Sequence, residues 1–250
     1  MCFLCSLNAG PLVHAAEAER GDADGRLSMD KANFSTGQAA GQIAAAAWPS
    51  RDAPISYAFR ATSSEAGFTR FSPEQIAAAE TALQLWSDVA NLRLERRGGG
   101  PSGDGAFSND ASILFNGLTR SPNYAYAFLP GDRGPGSRAG DVYLNVAYPS
   151  LNDMRPGTYG FLTMVHEIGH ALGLTHPGAY NAATGDRATY ANQARYTEDT
   201  RQFTVMSYFE AGESGADHGG SEPSTPLLHD VAAIQSLYGA NRNTRSGDTV

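Results

Sequence analysis

The sequence predicts an α+β domain in which a twisted sheet of about five strands packs on two long helices and a third helix closes the chain. Three observations carry this prediction. Short strand-like segments, several of them alternating apolar and polar residues, cluster between residues 55 and 146. Two longer segments switch to the three- and four-residue apolar spacing of helices. Hydrophobic residues make up 41% of the 250 positions, with 28 Gly and 13 Pro, which supplies a core broken by many turns.

Taken in order, residues 1–25 read as a leader that ends in the polar run Arg20-Gly21-Asp22-Ala23-Asp24-Gly25. Its apolar stretch lacks a basic start and is interrupted by Pro11 and His14, so it makes a poor Sec signal. Both cysteines, Cys2 and Cys5, fall here, so no disulfide framework holds the body together, and two sulfurs leave a zinc shell incomplete. Strands are expected at Ile55–Arg60, Leu92–Glu95, Ala111–Phe115, Ala125–Leu129 and Asp141–Val146. Between the first two, Ser72-Pro73-Glu74-Gln75 is a capping box with Pro at the first helical position, followed by Ile76, Ala79, Leu83, Trp86 and Ala90 on one face. That stripe is core. The Gly-rich loop Gly98–Gly105 lacks the Lys-Ser/Thr ending of a phosphate-binding loop and opens no helix. A second helix is expected over Phe161–Leu172, then an irregular stretch from His176 to Glu222, and a last helix over Leu227–Tyr238 between Pro226 and Gly239.

Charge and hydropathy narrow the function. A net charge of −8 disfavours a nucleic-acid partner, whose phosphates require clustered cations. No apolar run reaches the roughly 20 residues of a membrane span.

The chemistry concentrates in His166-Glu167-Ile168-Gly169-His170-Ala171-Leu172-Gly173-Leu174-Thr175-His176. Residues four apart on a helix are offset by about 40°, so His166 and His170 project from one face. Gly173 can end the helix in a left-handed conformation and return the chain, bringing in His176 as a third ligand. Three imidazoles leave a zinc ion one open position for water. Glu167 is rotated about 100° from the first ligand, beside the metal rather than on it, which suits a general base. Chance would produce this set with a probability on the order of 10⁻⁵. A structural zinc site is the closer rival, although such sites are usually closed by four protein ligands.

The run HEIGHALGLTHP, His166 to Pro177, resembles the extended zinc signature of the metzincin metalloendopeptidases, and Pro177 points to the serralysin (RTX-type) branch. Thr204-Val205-Met206-Ser207-Tyr208 resembles that family's Met-turn. Tyr180-Asn181, Thr197–Phe203 and Asp230–Asn241 also resemble serralysin segments, and similarity extends from about Gly41 to the C-terminus. The resemblance implies a metzincin-like fold, one catalytic Zn²⁺ on His166, His170 and His176, and Glu167 as base. It implies Tyr208 as a further metal ligand that swings away to stabilise the transition state, and Asp230 as a residue fixing the segment under the zinc. Without it, Met206 would read as core, Tyr208 as a half-buried aromatic and Asp230 as a solvated helix charge. His14, His218 and His229 have no matching partners and read as surface residues.

The function expected is hydrolysis of extended polypeptides by activated water, with Glu167 moving the proton and no acyl-enzyme. Gly140–Val146 is the expected edge strand for substrate, and the loop 178–196 a pocket wall. The rival from another class is a catalytically silent zinc-containing binding or adhesion module; a non-proteolytic zinc hydrolase is a third. Glu167 discriminates, because a binding module needs no base beside the water. The expected organisation is a propeptide-like leader at 1–25, a catalytic domain at 26–242, and at 243–250 the start of a C-terminal RTX-type domain. Its calcium-binding GGxGxD repeats are absent from this sequence, so Ca²⁺ is expected only where that domain is present. The resemblance further implies a secreted protein made as a zymogen. A monomer is expected. A leader cysteine on the zinc would silence the enzyme, although that device belongs to another metzincin branch.

Overall fold

The computed structural model describes residues 12–14, 31–49, 53–100, 103–131, 136–181 and 188–244. Cys2 and Cys5, the centre of the Gly-rich loop and the last six residues lie outside them, so the readings placed there have no structural counterpart.

All five expected strands form. In chain order they are β2 (Ile55–Phe59), β4 (Leu94–Arg96), β5 (Ile113–Leu118), β6 (Ala125–Ala127) and β7 (Val142–Asn145), joined by two short strands, β1 (Leu12–His14) and β3 (Phe68–Thr69). The sheet order is β1-β6-β7-β5-β2-β4, with β3 pairing β5. Strands β4, β2, β5 and β7 are parallel neighbours, whereas β6 runs antiparallel to β7, with Tyr126 opposite Tyr143. The central strand β5 is buried along its whole length, as a parallel strand covered on both faces requires.

This order corrects one expectation. The Gly140–Val146 strand lies inside the sheet between β5 and β6, so its main chain is already paired on both sides. The antiparallel strand at that end is β6. Its outer side is paired by leader strand β1, also antiparallel, with Val13 opposite Tyr126.

Helix α2 (Pro73–Val89) starts as expected: Ser72 accepts from the Gln75 amide at 3.3 Å and the Gln75 side chain accepts from the Ser72 amide at 3.0 Å. Its buried face, including Ala79, Leu83 and Trp86, packs on α3 (Tyr159–Ala171), and Trp86 donates its indole N–H to the Val165 carbonyl at 3.1 Å. A helix not anticipated, α1 (Thr36–Ile43), has its own capping box at Ser35 and Gln38. Small residues on its inner face, Ala39 and Ala40, allow it to pack closely against the last helix, α5 (Leu228–Tyr238). The described residues of the stretch 176–222 are largely irregular, interrupted by the one-turn helix α4 (Tyr190–Gln193) and a 3₁₀ turn at Ala211–Ser214.

The core thus lies between the inner sheet face and α2 and α3, and the zinc-signature helix runs through it: all residues from Gly160 to Ala171 are buried. A helix running through a packed core has little freedom to tilt or shift. The site inherits that rigidity.

Candidate metal centre

Helix α3 must expose its last carbonyls at a buried end, and each finds a donor. The Gly173 amide donates to His170 O and the Leu174 amide to Gly169 O, both at 2.9 Å, which is the Schellman pattern. Trp48 Nε1 donates to Ala171 O at 3.0 Å, and the Tyr238 hydroxyl to Leu172 O at 2.8 Å. Gly173 turns the chain with φ +109, and a Cβ there would sit 1.6 Å from Ala46 O. Beyond the turn, the Thr175 amide donates to Ile43 O at 2.8 Å and His176 comes back toward the helix.

Three imidazoles then converge. His170 Nε2 lies 3.1 Å from His176 Nε2, and His176 Nε2 lies 3.3 Å from His166 Nε2. Each Nδ1 faces a carbonyl: Val205 O for His166 at 2.7 Å, Leu174 O for His170 at 2.7 Å, and Tyr180 O for His176 at 2.9 Å. A carbonyl can only accept, so Nδ1 carries the proton in all three rings, and three Nε2 lone pairs point at one another. Burial also disfavours the charged form of His170 and pushes its pKa down to about 4. Such an arrangement is repulsive until a cation sits between the nitrogens. Ligands at about 2.0–2.1 Å in tetrahedral geometry are about 3.3–3.4 Å apart, which the observed spacings match. Among the described residues this is the only cluster of three His, Cys, Asp or Glu side chains with such convergence.

Glu167 is fully buried, and neither carboxylate oxygen has a hydrogen-bond partner in the protein. Burial raises its pKa well above the usual carboxylate range. A buried carboxylate without a partner, one residue along α3 from His166, and three converging lone pairs are each costly for a structural core, and a cation with its water would offset both. The donor set therefore fits zinc.

The Met-turn supports this centre from below. A Cβ at Gly169 would meet Met206 Sδ at 2.6 Å, so the thioether packs directly on the helix between the two ligating histidines. Asp230 is buried and accepts from the Thr204 hydroxyl at 2.5 Å and from the Val205 and Leu227 amides, both at 2.8 Å. Burial pushes its pKa up to about 6 against those hydrogen bonds. Since Val205 O receives His166 Nδ1, Asp230 anchors, through the preceding peptide, the residue whose carbonyl orients the first imidazole. Tyr208 is buried with its ring 4.5 Å from that of His176 and 6.2 Å from that of His166. Its carbonyl accepts from Arg201 Nη2 at 2.9 Å, and Arg201 is itself held by both oxygens of Glu222 at 3.1 Å.

The structure therefore brings His166, Glu167, His170, His176 and Tyr208 into one buried locality. His218 is exposed, as expected. His229 is not: it is 2% exposed and stacks on Phe203 at 5.4 Å, because it occupies the inner side of α5 just before Asp230. The sequence assigns Tyr180 and Asp199 no individual role, although Tyr180 adjoins the third histidine and Asp199 adjoins Tyr180. Their local signal was the pair of serralysin-like segments that contain them.

These features fit a zinc centre of the metzincin type, and comparison with known proteins gives the same family. The chain belongs to the matrixin family of peptidases, whose family model matches residues 47–202. Within the metzincins it falls in the serralysin branch. It is 41% identical over 241 residues to serralysin C of Dickeya chrysanthemi, covering 91% of this chain and 49% of that protein. It is 42% identical to a serralysin of Photorhabdus sp. (strain Az29) over 74% of this chain and 37% of the relative. Metallopeptidase AprA of Pseudomonas marginalis is 43% identical over 73% of this chain and 38% of its own length. The chain thus spans half or less of the length of these relatives.

Proposed function

We propose that this chain is the catalytic domain of a zinc-dependent endopeptidase that hydrolyses peptide bonds in extended polypeptides. One observation carries the reading: a buried carboxylate without a protein partner, Glu167, directly follows the first of three imidazoles whose Nε2 lone pairs converge. A binding or adhesion module has no use for that carboxylate and would pay its burial cost for nothing.

A zinc ion held by His166, His170 and His176 supplies Lewis acidity, which lowers the pKa of water toward about 7 and polarises a peptide carbonyl. Glu167 accepts a proton as the water oxygen bonds to the carbonyl carbon. The Tyr208 hydroxyl, on the residue whose ring packs against His176, would donate to the oxyanion that develops. As the C–N bond breaks, Glu167 returns the proton to the leaving amine. The nucleophile is water, so no acyl-enzyme forms.

Substrate adds as a strand to the outer side of β6, where main-chain hydrogen bonds accept many sequences. The reading is supported by the position of β6 against α3 and by the antiparallel pairing of Leu12–His14 on that same side. The leader 1–25 accordingly acts as a propeptide-like cover for a secreted enzyme, followed by the catalytic domain at 26–242 and, at 243–250, the first residues of a C-terminal RTX-type region. No helix of the described residues is long and apolar enough to cross a membrane.

The test is hydrolysis of casein and a quenched peptide by the purified chain, with and without a zinc chelator, beside Glu167→Ala. Chelator-sensitive cleavage that Glu167→Ala abolishes is expected. A zinc-replete protein that leaves every polypeptide intact would favour the silent module.

A further inference from the structure

Two of the three imidazoles are placed by helix α3, but His176 lies beyond the Gly173 turn, where no regular element fixes its ring. We propose that Tyr180 and Asp199 form a positioning pair that presets the His176 ring for metal binding. The inference rests on the reading of the three histidines as a metal site.

Tyr180 meets His176 in two ways. Its carbonyl accepts the Nδ1 proton at 2.9 Å, which fixes the tautomer and leaves Nε2 as the ligating atom. Its ring stacks on the imidazole, with centroids 5.3 Å apart and planes 22° apart, which fixes the ring's tilt. A residue in an irregular segment can do this only if it is anchored. The anchor is the phenol, which donates to Asp199 Oδ1 at 2.8 Å. Asp199 is fully buried, 19 positions further along the chain, and its own amide donates to Tyr196 O at 3.2 Å. The bond therefore ties the end of the His176 turn across to the base of the loop that follows it. Gly178 is part of the device: a Cβ there would lie 2.6 Å from Tyr180 Cε1, so only glycine lets the ring fold back toward His176.

The same short segment also grips the other wall of the site. Two residues after Asp199, the Arg201 amide donates to Phe209 O at 2.9 Å and its guanidinium to Tyr208 O. The Tyr180 ring lies between these groups, 4.9 Å from the Tyr208 ring. Asp199 thus acts through Tyr180, and neither residue needs to touch the metal.

The experiment measures zinc affinity by competition with a chromophoric chelator, and the melting temperatures of the zinc-loaded and metal-free chain. Tyr180→Phe keeps the ring and the carbonyl and removes the phenol, with its bond to Asp199 and its contact with the Ser207 side chain. Zinc affinity should fall about 10-fold or more, as expected for loss of a partner behind a ligand. Asp199→Ala should match it, Asp199→Asn should lose less because it keeps an acceptor, and the double variant Tyr180→Phe/Asp199→Ala should be no worse than either single change. The gap between loaded and metal-free melting temperatures should shrink. Unchanged zinc affinity in Tyr180→Phe would overturn the inference, as would additive losses or equal falls in the two melting temperatures. If Asp199→Ala does not fold, Tyr180→Phe decides alone. A wild-type chain that binds no zinc would instead defeat the metal-site reading itself.

Discussion

Replacing Gly173 with alanine tests how the third ligand reaches the metal. Position 173 has φ +109, outside the range L side chains readily adopt, which costs about 1–2 kcal/mol for alanine. The added Cβ would overlap Ala46 O at 1.6 Å, a backbone atom that cannot rotate away. Separating them pulls apart a junction where Gly173 O accepts from the Ala45 and Ala46 amides at 3.0 and 3.2 Å, and each bond lost costs about 0.5–1.5 kcal/mol. The sum is about 3 kcal/mol of stability, with displacement of the turn that carries His176. Gly41→Ala is the control: this exposed residue sits within α1 with nothing within 4 Å of an added Cβ, so it should be neutral or stabilising by about 0.5–1 kcal/mol. Urea denaturation of both variants in chelator, followed by zinc titration, reads the two effects separately. A Gly173→Ala protein within about 1 kcal/mol of wild type and with unaltered zinc affinity would refute the reasoning.

If Glu167 moves a proton and does not ligate, as proposed, Glu167→Gln should lower kcat by about 10²–10⁴ while leaving zinc affinity within a few-fold; a steady-state assay with parallel zinc titration checks both. Asp230→Ala leaves two amides and a hydroxyl without acceptors and should cost about 3 kcal/mol or more in chemical denaturation. Asp230→Asn adds a pH test. The folded carboxyl is raised to about 6 above its unfolded value, so its contribution favours the folded state in acid and is lost as pH rises through about 6. The Asn variant should therefore gain on wild type over that interval, and a constant difference would count against the shift. Removing residues 1–30 should raise the initial rate on peptide substrates, since the Leu12–His14 strand no longer pairs β6; an equal or lower rate in a folded protein would remove the leader from any covering role.

What was legible in the sequence follows physical locality. Helix α2 could be read because Ser72, Pro73 and Gln75 announce its start and its apolar stripe is unbroken for four turns. The tripod could be read because a helical offset, a glycine turn and a short return are all encoded within eleven residues. Helix α1 escaped notice although Ser35 and Gln38 carry a capping signal, because Gly37 and Gly41 weaken its propensity and its stability comes from α5, nearly 200 positions away. The edge strand was misplaced for a related reason. Nothing in Gly140–Val146 shows that β6 will fold back antiparallel beside β7, since strand order is decided by pairing rather than by pattern. His229 looked solvent-facing because an isolated histidine carries no sign of the Phe203 ring it stacks on. Likewise Asp199 acquires meaning only when Tyr180 is brought against it.

The central claim is that three Nε2 atoms hold one zinc ion, and X-ray absorption at the zinc edge of the purified chain tests it most directly. One equivalent of zinc with imidazole nitrogens at about 2.0–2.1 Å and an oxygen-only remainder is expected, with the signal lost in His170→Ala. Sulfur at about 2.3 Å, or zinc retained undiminished by that variant, would contradict it.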